Sequence, residues 1–410
     1  MKILMVNPYF WPTVTGSGTV TRQLGHELAE RGHDVSILTI DHDGRAREDQ
    51  IDGLAVYRVP STSVRLGKLA FHYSLPFTTR RGVQRNIDRI IEQVGPDVVH
   101  LHGQFWDLCY WAGASARSRD IPVVMTVHTV VTNDNPFYNK LAGAGDRLMV
   151  RPLARRLTDV WTGYDRRVTD YITHRYGIPN AIFVPNPVES SMFAGQGDAH
   201  RVRTQIGLEN EPIILSLGHV IPLRSRVPLV RALPRILEHI PDARVVVIGE
   251  VFDREFLHVA EHLNVRDRVV PVGRVPHEDV PDWLAAATVE AHVLHGAEGL
   301  GLDVSALESM SFGVPTVLRV SSDALPGTNL RDYPGLAILR SGDDDELAHT
   351  VIDLIHDPFA RAGAICAGRA MCGDMFSGEV VVNKYLDIYR SATTVTETTG
   401  ASEPQLALDG

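Results

Sequence analysis

The chain has 410 residues, 44% of them hydrophobic and 22% charged, which is an ordinary balance for a folded protein. That length exceeds the roughly 250–300 residues at which one hydrophobic core stops growing, so two domains are expected. Forty basic side chains against fifty acidic ones give a net charge of -10, which argues against a chain-wide nucleic-acid binder.

The opening run Met1-Lys-Ile-Leu-Met-Val-Asn7 is too short for a secretory signal and lacks a small-residue cleavage site, so it reads as a first buried strand. No stretch approaches the ~18–20 apolar residues of a membrane span. Short β-branched runs then alternate with amphipathic helical stretches, twice over, as in mostly parallel sheets flanked by helices. In the first half the strand candidates are Ile3–Val6, Val35–Ile40, Val56–Val59, Val98–Leu101, Val123–Val127 and Ile182–Pro185. Between the first two, Val20, Leu24 and Leu28 recur at helical spacing, and Gly32 suits the helix C-terminus. Residues 61–90 carry Arg65, Lys68, Arg80, Arg81, Arg85 and Arg89 against Asp88 alone. A weak peripheral contact with an anionic membrane surface is one reading of that stretch, and a solvated helix face beside a loop is the expected one. The second half restarts with Ile213–Leu217 and Gly218, followed by Val245–Ile248, Val269–Val272, Val289–Val293 and Thr316–Val320. Cys109, Cys366 and Cys372 show no zinc or redox spacing, so a reducing, cytoplasmic setting is expected.

Several segments carry chemistry. Gly16-Ser17-Gly18 lies between the first strand and helix, where backbone N–H groups can approach a diphosphate. Gly218-His219-Val-Ile-Pro-Leu-Arg224 places a cation six positions after a strand-ending glycine. Glu298-Gly299-Leu300-Gly301-Leu302-Asp303 leads to Glu308; a glycine loop feeding a helix offers N–H donors to phosphate, and a carboxylate one or two turns on can accept two ribose hydroxyls. His100-Leu-His102 puts two imidazoles on one strand face. A metal site there would need a third ligand, so a polar strand end lining a cleft is the better reading.

The order of these motifs, with Pro96-Asp-Val-Val-His100, Thr126-Val-His128, Val184-Pro-Asn186, Phe193 and Gly342-Asp-Asp-Asp-Glu-Leu-Ala348, resembles the retaining glycosyltransferases of family 4 over roughly residues 1 to 390. The resemblance implies an α/β GT-B fold, two Rossmann-like doubly wound domains facing each other across a cleft. It implies an acceptor domain over 1–200, a donor domain over 201–375 and a helix over 376–390 packing back toward the first domain; the last twenty residues, rich in Thr, Ser, Ala and Gly with little to bury, are expected to form a disordered tail over 391–410. The implied reaction moves a sugar from a nucleoside-diphosphate sugar, a UDP-sugar ahead of GDP-mannose, to a hydroxyl of a saccharide, lipid or small natural product. Neither a metal nor another cofactor is implied.

Carried over residue by residue, Arg224 neutralises the diphosphate where the family usually has lysine, Glu308 binds ribose, and the backbone near Val275 reads the base. Gly16, Ser17 and Gly18 face the phosphates, His128 sits near the donor sugar, and Glu298 is the first of two paired glutamates. Three departures stand out. Nine residues rather than seven separate Glu298 from Glu308, which reads as a two-residue insertion or as Asp303 taking the first acidic role. His219 stands where arginine is usual, and Pro187 follows Asn186 where glycine is common. A sugar-nucleotide epimerase of the same fold and a non-catalytic nucleotide-sugar-binding protein remain alternatives.

Overall fold

The computed structural model describes residues 1–400 apart from 14, 42–46, 66–73, 79–81, 131–135, 189–191, 193 and 293–301. It divides into two compact units, Met1–Pro187 with Gly378–Gly410, and Val188–Ser377. The boundary therefore falls at Pro187/Val188 rather than at 200/201.

The first unit is built on an eight-stranded sheet. Its strands are β1 (Lys2–Val6), β2 (Asp34–Asp41), β3 (Arg47–Ile51), β4 (Leu54–Pro60), β7 (Val98–His102), β8 (Val123–Val127), β9 (Val160–Gly163) and β10 (Ile182–Phe183), with a separate hairpin of β5 (Thr62–Arg65) and β6 (Ser74–Phe77). The spatial order is β10-β9-β8-β7-β1-β2-β4-β3, parallel except for the antiparallel β3–β4 pair. Ile3, Leu4, Met5 and Val6 are all fully buried, as a strand covered on both faces requires.

The helix Gly16–Glu30 buries Val20, Leu24 and Leu28, the stripe its spacing predicts. It closes on Gly32, where φ is +83°. Gly32 N–H donates to Ala29 O and His33 N–H to Leu28 O, which satisfies two carbonyls that the helix end leaves open. The helix Gly378–Gly400 belongs to this unit. Its Val381, Val382, Tyr385, Leu386, Ile388 and Tyr389 share a core cluster with Ile3, Met5, Leu24, Leu28, Val98 and Val124. It extends past 390, so residues 391–400 are helical rather than tail; 401–410 lie outside the described residues.

The second unit is a six-stranded parallel sheet, β13-β12-β11-β14-β15-β16. The ranges are β11 (Ile213–Leu217), β12 (Arg244–Ile248), β13 (Val269–Gly273), β14 (Val289–His292), β15 (Thr316–Leu318) and β16 (Ala337–Ile338). Its core joins Val245, Val247 and Val289 from the sheet to Leu229, Leu233 and Ile236 of the helix Val227–His239 and Leu347 and Val351 of the helix Asp344–His356. The Gly342–Ala348 motif starts this last helix. The Asp343 side chain accepts from Glu346 N, and the Glu346 carboxylate accepts in return from the N–H groups of Arg340, Ser341 and Gly342.

Inside the first unit, the Tyr389 hydroxyl is hydrogen-bonded to His100 Nδ1 at 2.7 Å, and both side chains are fully buried. Tyr389→Phe leaves that imidazole nitrogen without a partner, so a loss of about 1–3 kcal/mol is expected in the urea-unfolding free energy.

Candidate functional site

In the second unit, three neighbouring strands end on glycines with positive φ: Gly218 after β11 (+112°), Gly249 after β12 (+131°) and Gly273 at the end of β13 (+89°). A Cβ on Gly249 would lie 2.3 Å from Gly218 O, so only glycine lets these two strand ends approach. Gly218 N–H donates to Ile248 O and Gly249 N–H to Gly273 O, locking the three ends together. Ligands bind beyond such carboxyl ends in open α/β sheets.

The segment after Gly218 is fixed by its side chains. His219 Nδ1 accepts from Glu250 N at 3.0 Å, and burial with the charges of Arg224 and Arg274 lowers its pKa. A short turn, Pro222–Arg224, then brings Arg224 Nη2 to Asp303 Oδ1 at 3.0 Å. Asp303 is the N-cap of the helix Val304–Phe312, yet its side chain makes no capping hydrogen bond to that helix. Glu308 lies in this helix at 7% exposure, and its Oε1 accepts from His277 Nε2 at 2.9 Å. His277 opens the turn His277–Asp279 just after the half-buried Val275, so its side chain ties Glu308 to the segment that carries Val275. Leu302 is buried, whereas Glu298, Gly299, Leu300 and Gly301 lie outside the described residues.

Sequence reasoning missed Arg226. Its side chain is 2% exposed, with Nη1 donating to Arg224 O at 2.6 Å and Nη2 to Leu217 O at 3.2 Å and Gly218 O at 2.8 Å. Burial and the Arg224 charge push its pKa down to about 10, opposed by Glu290 and Asp303, so it stays cationic at neutral pH. Glu290 is fully buried on β14. An arginine opening the apolar run Val227-Pro-Leu-Val and a glutamate inside Val289-Glu-Ala were the available signals, since two buried opposite charges call for one another. His277 was missed as well, and only its place between Val275 and Glu308 in the motif order hinted at it.

In the first unit, Gly16, Ser17 and Gly18 are not a loop but the first helical turn, capped by Thr15 Oγ1 accepting from Gly18 N at 3.1 Å. A Cβ on Gly18 would lie 2.5 Å from Tyr9 O, whereas one on Gly16 would meet nothing within 4 Å. The N–H groups of Gly16 and Ser17 are among those that an α-helix leaves without intrahelical acceptors.

His100 and His102 do not line a surface: both are buried, at 0% and 1% exposure. His100 Nε2 is hydrogen-bonded to Thr126 Oγ1 at 2.7 Å, which also meets Thr162 Oγ1 at 2.7 Å and Tyr385 Oη at 3.0 Å. His102 Nδ1 meets His128 Nε2 at 3.0 Å, with the rings nearly parallel at 19°. Burial pushes the imidazoles down, His100 to about 3, His128 to about 4 and His102 well below its ordinary value. Among the described residues, no group of three or more His, Cys, Asp or Glu side chains is arranged to hold a metal ion. In the basic stretch, Arg85 and Arg89 are exposed on the helix Val83–Val94; Lys68, Arg80, Arg81 and the Arg65 side chain lie outside the described residues.

Residues 14–191 match the model of Glycosyltransferase Family 4, and residues 198–371 that of Glycosyl transferases group 1. A D-inositol 3-phosphate glycosyltransferase of Kribbella flavida is 31% identical over 321 residues, 72% of each chain. This chain belongs to glycosyltransferase family 4.

A second relative of this family 4 chain is 31% identical over 232 residues, 54% of this chain. It is a GDP-mannose-dependent alpha-(1-6)-phosphatidylinositol monomannoside mannosyltransferase of Mycolicibacterium smegmatis, and the match spans 60% of its length. The Anabaena protein HepE, solved in complex with UDP, superposes with a TM-score of 0.69 at 14% identity, covering 95% of this chain and 100% of that one. The shared architecture is the GT-B fold.

Two stability tests follow from the buried charges and imidazoles. Arg226→Ala strips these buried donors from the carbonyls of Leu217, Gly218 and Arg224, so a loss of about 3–5 kcal/mol is expected by denaturant unfolding. For the imidazoles, the unfolded chain takes up protons near pH 6.5 that the folded one refuses. Stability is therefore whole above pH 6.5 and is lost progressively as the pH falls toward the folded values of about 3 to 4. The melting temperature should fall across that window, and less steeply in His100→Asn.

Proposed function

We propose that this protein transfers a sugar from a nucleoside-diphosphate sugar to an acceptor hydroxyl, with retention of configuration and without a metal. The observation that carries this reading is the meeting of Arg224 with Asp303 at the start of the helix bearing Glu308, beside the Gly218 strand end. Negative charge develops on the departing diphosphate. A guanidinium held there, together with the positive end of a helix, stabilises that charge without a divalent cation. An arginine can grip phosphate oxygens through two N–H groups at once, so Arg224 can take the diphosphate while Nη2 keeps its bond to Asp303.

Glu308 takes the ribose hydroxyls. Its bond to His277 orients the carboxylate and leaves lone pairs for a ligand, since an ionised carboxylate can accept about four hydrogen bonds. Glu298 is proposed as the first acidic residue and His128 as a donor-sugar contact, both on the family resemblance. In a retaining front-face displacement the C1–phosphate bond breaks as the acceptor oxygen attacks on the same face. The acceptor proton passes to the leaving phosphate oxygen.

On sequence grounds a UDP-sugar comes ahead of GDP-mannose. Two relatives, 31% and 27% identical, are named as GDP-mannose-dependent, so GDP-mannose enters the test on equal terms. Inositol-bearing acceptors lead the acceptor panel because inositol figures in the names of several relatives.

A thermal-shift panel of UDP-, GDP-, ADP- and dTDP-sugars tests the donor site, since stabilisation grows with the logarithm of ligand excess. One nucleotide should raise the melting temperature, and Glu308→Ala should weaken its binding about 10–100-fold, the worth of hydrogen bonds to a charged group. No shift with any sugar nucleotide removes the reading. Conversion of the donor without acceptor would point to an epimerase instead, and binding without diphosphate release under any acceptor to a non-catalytic binder.

A further inference from the structure

The pair His102–His128 contains more information than its distance. Each ring is neutral near pH 7, because burial disfavours the imidazolium. A single proton therefore lies in the 3.0 Å bond between His102 Nδ1 and His128 Nε2, and two arrangements are open. If His128 Nε2 carries that proton, His102 must carry its own on Nε2. His102 Nε2 is buried with no hydrogen-bond partner among the described residues, so that arrangement strands an N–H donor in the interior. If His102 Nδ1 carries the proton, the stranded atom is only a lone pair. Buried N–H groups without acceptors are the rarer of the two defects.

We propose that His102 is a positioning residue that donates its Nδ1–H to His128 Nε2 and so holds His128 as the Nδ1–H tautomer, presenting an N–H to a hydroxyl or phosphate oxygen of the substrate. The substrate half of this statement rests on the transfer reading above; the tautomer does not. His102 is itself set by its surroundings. Its ring lies 4.1 Å, centroid to centroid, from that of His100, which Thr126 and Tyr389 grip from both nitrogens. Turning the ring over would put a carbon where Nδ1 stands and lose the 3.0 Å bond to His128.

Long-range 1H–15N correlation spectra of histidine-labelled protein at pH 7 read the tautomer directly, without substrate. His128 should show a pyrrole-type Nδ1 and a pyridine-type Nε2, with His102 pyridine-type at Nε2. A pyrrole-type Nε2 on His128 overturns the proposal whatever the activity. His102→Asn keeps an N–H where Nδ1–H stood and should preserve the His128 signature. His102→Phe keeps a ring without the donor and should move His128 toward the Nε2–H form. Turnover, once a donor and acceptor are in hand, should fall about tenfold in His102→Phe and return in His102→Asn, as expected for one hydrogen bond in the transition state. The wild-type spectrum decides the tautomer even if neither variant folds or no transfer is found.

Discussion

A cation with almost no contact with water governs the end of β11. Burying a guanidinium is costly unless its hydrogens find acceptors and its charge finds an opposite one. Arg226 meets the first demand through Nη1 and Nη2, with the carbonyls of Leu217, Gly218 and Arg224, though its Nε finds no acceptor among the described residues, and Glu290 contributes to the second. Those carbonyls belong to the strand end and to the turn after it, so the charge sets the path of the whole segment from 217 to 226. Only along that path does Arg224 emerge partly exposed and within reach of Asp303. The charge that can meet a ligand is thus held up by one that cannot.

The first unit solves its polar problem in the opposite way. Its buried imidazoles lose their charge instead of pairing it, and the hydroxyls of Tyr389 and Thr126 hold His100, with Thr162 and Tyr385 in turn on Thr126. Two of those hydroxyls come from the helix Gly378–Gly400, which makes that helix part of the network and not merely a cover for the sheet. Neutral networks of this kind are specific because each member must find its partner, and an unfilled position costs nearly a full desolvation penalty. His128 adjoins this network through His102, which it meets at 3.0 Å and whose ring lies 4.1 Å from that of His100.

Local signals carried much of this into the sequence. Buried strands such as Ile3–Val6 and Ile213–Leu217 announce themselves as β-branched runs, and the helical stripe of Val20, Leu24 and Leu28 fits its period. The Gly218 strand end and the Glu308 helix were also visible, because turn and helix chemistry is written in neighbouring residues. β9 was not, since Val-Trp-Thr-Gly is four residues long and shows no alternation. β16 has only two residues and is held by its neighbour β15. The partners of the site residues stayed hidden for a different reason. His277 and Glu308 are 31 positions apart, and His100 and Tyr389 are 289 apart, so no local pattern could pair them. Gly16–Gly18 was read as a loop because glycine is a poor helix former. Thr15 at the N-cap, and the close approach of Tyr9 O to Gly18, override that preference.

Two departures from the family pattern meet in one contact. The longer spacing before Glu308 goes with Asp303 at the helix N-cap, and the cation opposite is Arg224 where lysine is usual. A lysine ammonium is a compact point charge, and an aspartate beside it would compete directly with phosphate for the same centre. A guanidinium spreads its charge over five N–H donors, so Asp303 can occupy Nη2 while other donors stay directed elsewhere. An arginine therefore tolerates a carboxylate at a helix N-terminus that itself favours negative charge. Arg226 beneath it adds the second positive charge that two carboxylates, Asp303 and Glu290, call for. Arg224 and Asp303 thus form one electrostatic unit at the start of the helix that carries Glu308.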